Sequence, residues 1–122
     1  MTIFTKYQRH KTMEIISHDN FKLAEKGNPF ALHQMGIYYK NLICSSNDTL
    51  NLNMAIFCFE KADFSESYEE LGHLFMQNIY VKQDVDKAID YYLKSDIDFS
   101  TIVSQKMSAK QLLYIANALL NK

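Results

Sequence analysis

The chain has 122 residues and a net charge of −1, and 48% of its residues are hydrophobic while 22% are charged. This length and composition predict a single folded domain over residues 1–122, and they exclude a disordered chain. Three glycines and one proline are few for sheets or long loops, so helices are favoured.

The charges are unevenly distributed, which bears on the class of partner. Residues 41–100 carry four basic and eleven acidic side chains, whereas both ends of the chain are basic. This acidic middle favours a protein partner with a basic surface, and the lack of a dense Lys/Arg stripe argues against direct nucleic-acid binding. No run approaches the roughly 18 apolar residues of a membrane span, and the first residues do not resemble a signal peptide. We therefore expect a cytoplasmic protein without membrane contact.

The N-terminal part predicts a helix over about residues 3–26. Gly27 suits the left-handed residue that follows a helix, Asn28 can cap the next helix, and Pro29 fits its first turn. A new helix is therefore expected from about Pro29.

The middle of the chain predicts a loop and two helices. "NLICSSNDT", residues 41–49, is polar enough for a loop, and a helix that contains "MAIFCFEKA", residues 54–62, follows it. After a break at Asp63, apolar residues spaced three and four apart predict a helix over residues 65–77. Asn78 is expected to end this helix in the left-handed conformation.

The last part of the chain predicts two more helices and no strand. Asp84 can cap a helix that runs through Ser95. Ser108 and Gln111 form a capping box of the Ser-x-x-Gln kind, which opens a C-terminal capping helix over about residues 108–121.

Pairs of helices recur along the sequence. "MAIFCFEKA" matches residues 87–95, "KAIDYYLKS", at an offset of 33, and "ALHQMGIYY", residues 31–39, matches residues 67–75, "SYEELGHLF", at an offset of 36. Repeated helix pairs predict a solenoid, because no single pair can bury its own apolar face.

The second alignment places Gly36 on Gly72. A glycine costs about 1 kcal/mol inside a helix, so its missing side chain is expected to let a neighbouring helix approach. The other core positions predicted for these two helices are Ala31, Met35, Tyr39, Ser67, Leu71 and Phe75.

The repeated pattern resembles the Sel-one-like repeat, a tetratricopeptide-type helical repeat. The residues that carry the resemblance are Ser67, Leu71, Gly72, Phe75, Val81, Asp84, Lys87, Ala88, Tyr91, Tyr92, Lys94 and Ser95. The clear units span about residues 29–62 and 65–95, while Asn78 and Tyr80 depart from the glycines of the family. The resemblance implies an all-α fold, a short right-handed superhelical solenoid of stacked antiparallel helix pairs.

In helical solenoids the first helices of the units line the concave side, where partners dock. The residues expected on that face are His33, Gln34 and Ile37 in one unit, and Glu66, Glu69, Glu70, His73 and Gln77 in the next, with Tyr80 as a further contact on the link. Together they predict a partner-binding surface whose acidic part prefers a basic protein.

Catalytic and ligand-binding motifs do not occur in the sequence. The four histidines lack the spacing of a metal site, and Cys44 and Cys58 form no zinc or redox motif, which predicts reduced thiols. We therefore predict no catalytic residues, no metal and no cofactor, and a protein that is not an enzyme.

These observations predict a protein–protein interaction module. Within that class, a short binder with an acidic face suits an immunity protein that blocks a partner toxin, and a basic nuclease would fit such a face. A regulatory adaptor or scaffold that binds a peptide or protein segment is the alternative, and a cryptic enzyme is a third.

Overall fold

The computed structural model describes residues 18–46, 49–103 and 107–121. Its helices are α1 (His18–Glu25), α2 (Pro29–Ser46), α3 (Thr49–Ala62), α4 (Ser65–Met76), α5 (Val85–Leu93) and α6 (Ala109–Leu120), with a 3₁₀ turn at Phe99–Thr101. The described residues contain no strand, so the predicted all-α class is confirmed. The predicted solenoid and its handedness remain predictions.

The chain divides into two compact units, residues 1–67 and 68–122. In the first unit α1 packs on α2 and α2 on α3, and in the second unit α5 packs on α6. The part of the predicted N-terminal helix that precedes His18 lies outside the described residues.

The break between α1 and α2 is formed by the residues that the sequence indicates. Gly27 has a φ of +88°, the left-handed conformation that only glycine adopts without strain. The Asn28 side-chain oxygen accepts a hydrogen bond of 3.0 Å from the backbone N–H of Ala31 and so caps α2. Both predictions for this junction are confirmed.

The loop predicted over residues 41–49 is wrong for most of its length, because α2 continues to Ser46. Ile43 is buried and Leu42 is half-buried, so apolar packing holds this stretch in the helix despite its polar composition. Neither glycine nor proline occurs there to end the helix earlier.

The end of α4 also differs from the prediction. Asp63, between α3 and α4, has a φ of +53°, whereas Asn78 is not among the described residues with positive φ. The Asn78 side-chain oxygen instead accepts the Gln83 backbone N–H at 3.1 Å, and the Gln83 amide donates to the Met76 carbonyl at 2.7 Å. These hydrogen bonds close the link after α4 without a left-handed residue.

The predicted caps of the last two helices are confirmed. The Asp84 carboxylate accepts the Lys87 backbone N–H at 3.1 Å, and Ser108 and Gln111 form both hydrogen bonds of the capping box. Helix α5 ends at Leu93, shortly before the predicted Ser95.

In the first unit, the ring of Phe59 on α3 lies against the backbone of Gly36 on α2. A Cβ built on Gly36 would lie 2.5 Å from this ring, far inside van der Waals contact. Phe59 is fully buried, so its ring has no free space into which it could move. The absent side chain is therefore what allows α2 and α3 to approach.

The second unit repeats this contact with different residues. The ring of Tyr92 on α5 lies against Gly72 on α4, where a Cβ would collide with three of its carbon atoms. Tyr91, next to it, stacks on Phe75 with ring centroids 5.8 Å apart. The predicted close approach of a helix is thus confirmed at both glycines.

The core positions predicted from the repeat are all buried. They are Ala31, Met35, Gly36, Tyr39, Ser67, Leu71, Gly72 and Phe75. The inner side of α2 and of α4 was therefore correctly assigned, and each outer side follows from it by the helical period.

We predict that Gly36→Ala and Gly72→Ala each lower the free energy of unfolding by about 1–2 kcal/mol. The added methyl overpacks a rigid buried ring, and this cost exceeds the gain of about 1 kcal/mol in helix propensity. Urea denaturation followed by circular dichroism measures the change.

Asn53→Ala, on the exposed side of α3, is the matched control. It raises helix propensity without a new contact and should leave stability unchanged or slightly higher. If the two glycine variants behaved like this control, the rings would not lie on the glycines.

Candidate protein-binding surface

One side of α4 carries the acidic part of the predicted surface. Successive residues of an α-helix are rotated by about 100°, which places the five predicted side chains within one continuous arc. They are Glu66, Glu69, Glu70, His73 and Gln77. Glu66 and Gln77 are exposed, and the other three are half-buried. The structure therefore brings these residues together on the side of α4 opposite Leu71.

A hydrogen bond anchors this face to α5. His73 Nδ1 lies 2.7 Å from the Tyr92 hydroxyl, and His73 Nε2 lies 3.7 Å from a Glu69 carboxylate oxygen. The Tyr92 hydroxyl donates to Nδ1 when the imidazole proton is on Nε2, while the distance from Nε2 to Glu69 is too long for a hydrogen bond. The same tyrosine thus fills the space above Gly72 with its ring and holds a surface histidine with its hydroxyl.

Burial of Tyr92 changes its acid–base behaviour. Desolvation raises the pKa of Tyr92 to about 12, and the negative charge of Glu69 acts in the same direction. The hydroxyl therefore stays protonated at any physiological pH and remains available as a donor to His73.

The predicted residues on α2 are less open than those on α4. His33 is half-buried, its Nδ1 lies 2.8 Å from the Ser67 hydroxyl, and its ring contacts Phe59 and Phe64 at centroid distances of 5.5 and 5.2 Å. Because these internal contacts already use its ring and one nitrogen, His33 is a packing residue with a partly exposed edge. Its role as a partner contact stays a prediction.

The remaining predicted contacts are also partly covered. Gln34 and Ile37 on α2 are half-buried, and so is Tyr80 on the link after α4. Among the predicted contacts, only Glu66 and Gln77 are exposed. The acidic side of α4 is therefore the more accessible part of the predicted surface.

A groove between α5 and α6 was not predicted. It has a volume of about 380 Å³ and is lined by Asp86, Asp90, Ser108, Lys110, Gln111 and Tyr114. Gln111 donates its amide to Asp86 at 2.8 Å, and Tyr114 donates its hydroxyl to Asp90 at 2.9 Å. The hydrogen bond to Asp90 and the negative charge of this residue raise the pKa of Tyr114. Both carboxylates therefore tie α6 to α5.

A signal for this groove exists in the sequence, but only for each helix alone. The i, i+4 spacing of Asp86 and Asp90 puts them on one side of α5, and the i, i+3 spacing of Gln111 and Tyr114 does the same on α6. The packing of α5 on α6 decides which sides of the two helices face each other. Neither spacing in the sequence determines this packing.

The described residues offer little for covalent or metal chemistry. Burial raises the pKa of the Cys58 thiol to about 12, so this cysteine is protonated at neutral pH and is a poor nucleophile. In residues 18–46, 49–103 and 107–121, no three His, Cys, Asp or Glu side chains lie close enough together to hold a metal ion. None of the described helices combines the length and the apolar character needed to cross a membrane.

No protein-family model matches the chain, and neither the curated proteins nor the solved structures contain a match to it.

We predict that stability falls between about pH 10 and pH 12, in part because of Tyr92. In that range the unfolded chain releases the Tyr92 proton while the folded chain retains it, so a rise in pH favours unfolding. Tyr92→Phe keeps the ring on Gly72 but removes this titration, so its stability should fall less steeply with pH.

Urea denaturation of both proteins at several values of pH measures the two slopes. Cys58, whose pKa is raised in the same way, contributes equally to both proteins and cancels in the difference. Equal slopes would mean that the hydroxyl of Tyr92 is exposed to water.

Proposed function

We propose that the chain is a non-enzymatic protein-binding module that presents the acidic side of α4 to a basic partner. The observation that supports this proposal most directly is the arc of α4 that carries Glu66, Glu69 and Glu70 with no basic side chain other than His73. Three carboxylates on one helix side steer a positively charged surface towards it.

The anchoring of α4 supports the same proposal. Leu71 is fully buried, Gly72 lies under the Tyr92 ring, and His73 is hydrogen-bonded to the hydroxyl of that ring. A helix whose backbone is already packed, with one surface side chain hydrogen-bonded, loses less conformational entropy on binding than an unordered segment. The acidic side of α4 is thus organised before a partner arrives.

Within this class we assign the chain the role of an immunity protein that binds and blocks a toxin. A small helical binder with an acidic face suits a toxin with a basic active surface, such as a nuclease, because covering that surface excludes the nucleic-acid substrate. Any such toxin would be encoded next to this gene, so deletion of this gene alone should be toxic to the host. Deletion of both genes should be tolerated, and survival after the single deletion would contradict the role.

A regulatory adaptor that binds a peptide is the second candidate function. The groove between α5 and α6 favours it, because Asp86, Asp90 and Tyr114 offer carboxylates and an exposed ring to an extended basic segment. Capture of short basic peptides that is lost in Asp90→Asn, with full tolerance of the single gene deletion, would favour this function over immunity.

We predict that charge reversal of α4 slows capture of the partner without unfolding the chain. In Glu69→Lys/Glu70→Lys, the association rate with the product of the neighbouring toxin gene should fall at least about tenfold at low salt. The difference from the original chain should shrink as salt is added, since salt screens charges over about 10 Å at 0.1 M. Stopped-flow or biosensor kinetics measure these rates.

Glu25→Lys/Glu60→Lys is the matched control, because it changes the net charge by the same amount at exposed positions on α1 and α3. An equal loss of rate in the control would indicate that only the net charge matters. Unfolding of the α4 variant would show that its carboxylates belong to the core.

A further inference from the structure

Helix α6 repeats the layout of α2 and α4. In all three helices the eighth residue is small, and it follows a buried aliphatic side chain. The three pairs are Met35–Gly36, Leu71–Gly72 and Ile115–Ala116. Because the position within the helix is the same each time, Ala116 is the counterpart of the two glycines.

The side that is covered on α2 and α4 is open on α6. Phe59 covers Gly36 and Tyr92 covers Gly72, whereas Ala116 is exposed. At a rotation of about 100° per residue, four leucines share an arc of about 120° with Ala116. Their exposed fractions are 37% for Leu112, 62% for Leu113, 40% for Leu119 and 82% for Leu120.

This side of α6 contains no charged residue. Lys110 and Tyr114 lie on the other side of the helix, towards the groove with α5. A continuous set of exposed leucines is unusual on a folded chain and marks a site of contact with another molecule. Because this side of α6 carries no charge, we expect its contact with another molecule to be apolar. The acidic side of α4 differs in this respect.

The two helices that cover α2 and α4 show what chemistry fits such a site. Each carries an aromatic residue with a small residue four places before it and another three places after it. The first set is Ala55, Phe59 and Ala62 on α3. The second set is Ala88 and Tyr92 on α5 with Ser95, which lies just after the end of α5. Each of these six residues is at most 2% exposed. The aromatic ring fills the space over the glycine, and small flanking residues are the type that does not hold a helix contact apart.

We propose that α6 binds an amphipathic helix of a partner protein that carries this spacing, small-x₃-aromatic-x₂-small. The aromatic ring of the partner covers Ala116, and apolar side chains around it cover Leu113 and Leu120. This surface is separate from the acidic side of α4, so the proposal goes beyond the proposed function and does not depend on it.

A second copy of the chain is a poorer occupant than a partner helix. The exposed side of α6 itself offers leucines but no aromatic ring, because the Tyr114 hydroxyl is bonded to Asp90 on the other side. On α3 and α5 the spacing is already buried, with Phe59 and Tyr92 against Gly36 and Gly72. The sequence repeats the spacing once more at α1, where Phe21 and Ala24 are each 4% exposed. Among the described residues, a second folded copy therefore offers no exposed helix side with this spacing.

A direct probe is a fluorescently labelled peptide with the sequence of residues 84–96, "DVDKAIDYYLKSD". This peptide contains the small-x₃-aromatic-x₂-small spacing and the residue that caps its helix, Asp84. Fluorescence anisotropy with the 122-residue chain should show saturable binding. The same peptide with Tyr92→Ala should bind at least about tenfold more weakly, since it loses the ring. If the original peptide did not bind at millimolar concentrations of the 122-residue chain, the proposal would be overturned.

Variants of the chain locate the site. Ala116→Gln and Leu120→Gln each add an uncharged polar group to the open side of α6. Each substitution should weaken binding of the peptide at least about tenfold. Lys110→Gln, on the other side of α6, is the control and should bind as the original chain does. Equal binding by Ala116→Gln and the original chain would overturn the proposal.

Two further outcomes would assign the open side to a different occupant. A marked fall in the melting temperature of Leu120→Gln would mean that the chain itself covers this side. Dimerisation of the original chain by light scattering, lost in Leu120→Gln, would assign it to a second copy. Unchanged stability and a monomeric chain are the results that the proposal requires.

Discussion

The structure depends on one repeated contact, an aromatic ring pressed against a helix at a residue with no side chain. Phe59 on Gly36 and Tyr92 on Gly72 set the distance and the rotation of two successive helix pairs. Dispersion and the hydrophobic effect both stabilise this contact, because burial of an aromatic ring removes much apolar area from water and brings the ring into contact with many atoms. Any side chain at either glycine would hold the helices apart.

Fixing the inner side of a helix also fixes what its outer side displays. With Leu71 and Gly72 facing the core, the helical period leaves Glu66, Glu69 and His73 on the other side of α4. The Tyr92 hydroxyl then holds His73 in place, so the residue that closes the core also orders the surface. Core packing and the candidate binding surface are thus connected through a single side chain.

Much of this architecture could be predicted from the sequence because it is encoded locally. Asn28, Asp84 and Ser108 act as caps within their own first turns, and the repeated glycines mark the inner side of two helices. The failures share a different cause. The continuation of α2 to Ser46 accompanies the burial of Ile43, which its polar neighbours do not indicate. The half-buried position of His33 depends on contact with Ser67, far along the chain. The same holds for the groove between α5 and α6, which no single helix reveals.

The most direct test of the central contact is nuclear magnetic resonance of the folded chain. Nuclear Overhauser effects should connect the α protons of Gly36 with the Phe59 ring, and those of Gly72 with the Tyr92 ring. In each glycine, the α proton that points where a Cβ would lie should also have a resonance displaced from its random-coil value, because it lies against the ring. Random-coil shifts and missing cross-peaks at both glycines would contradict the account.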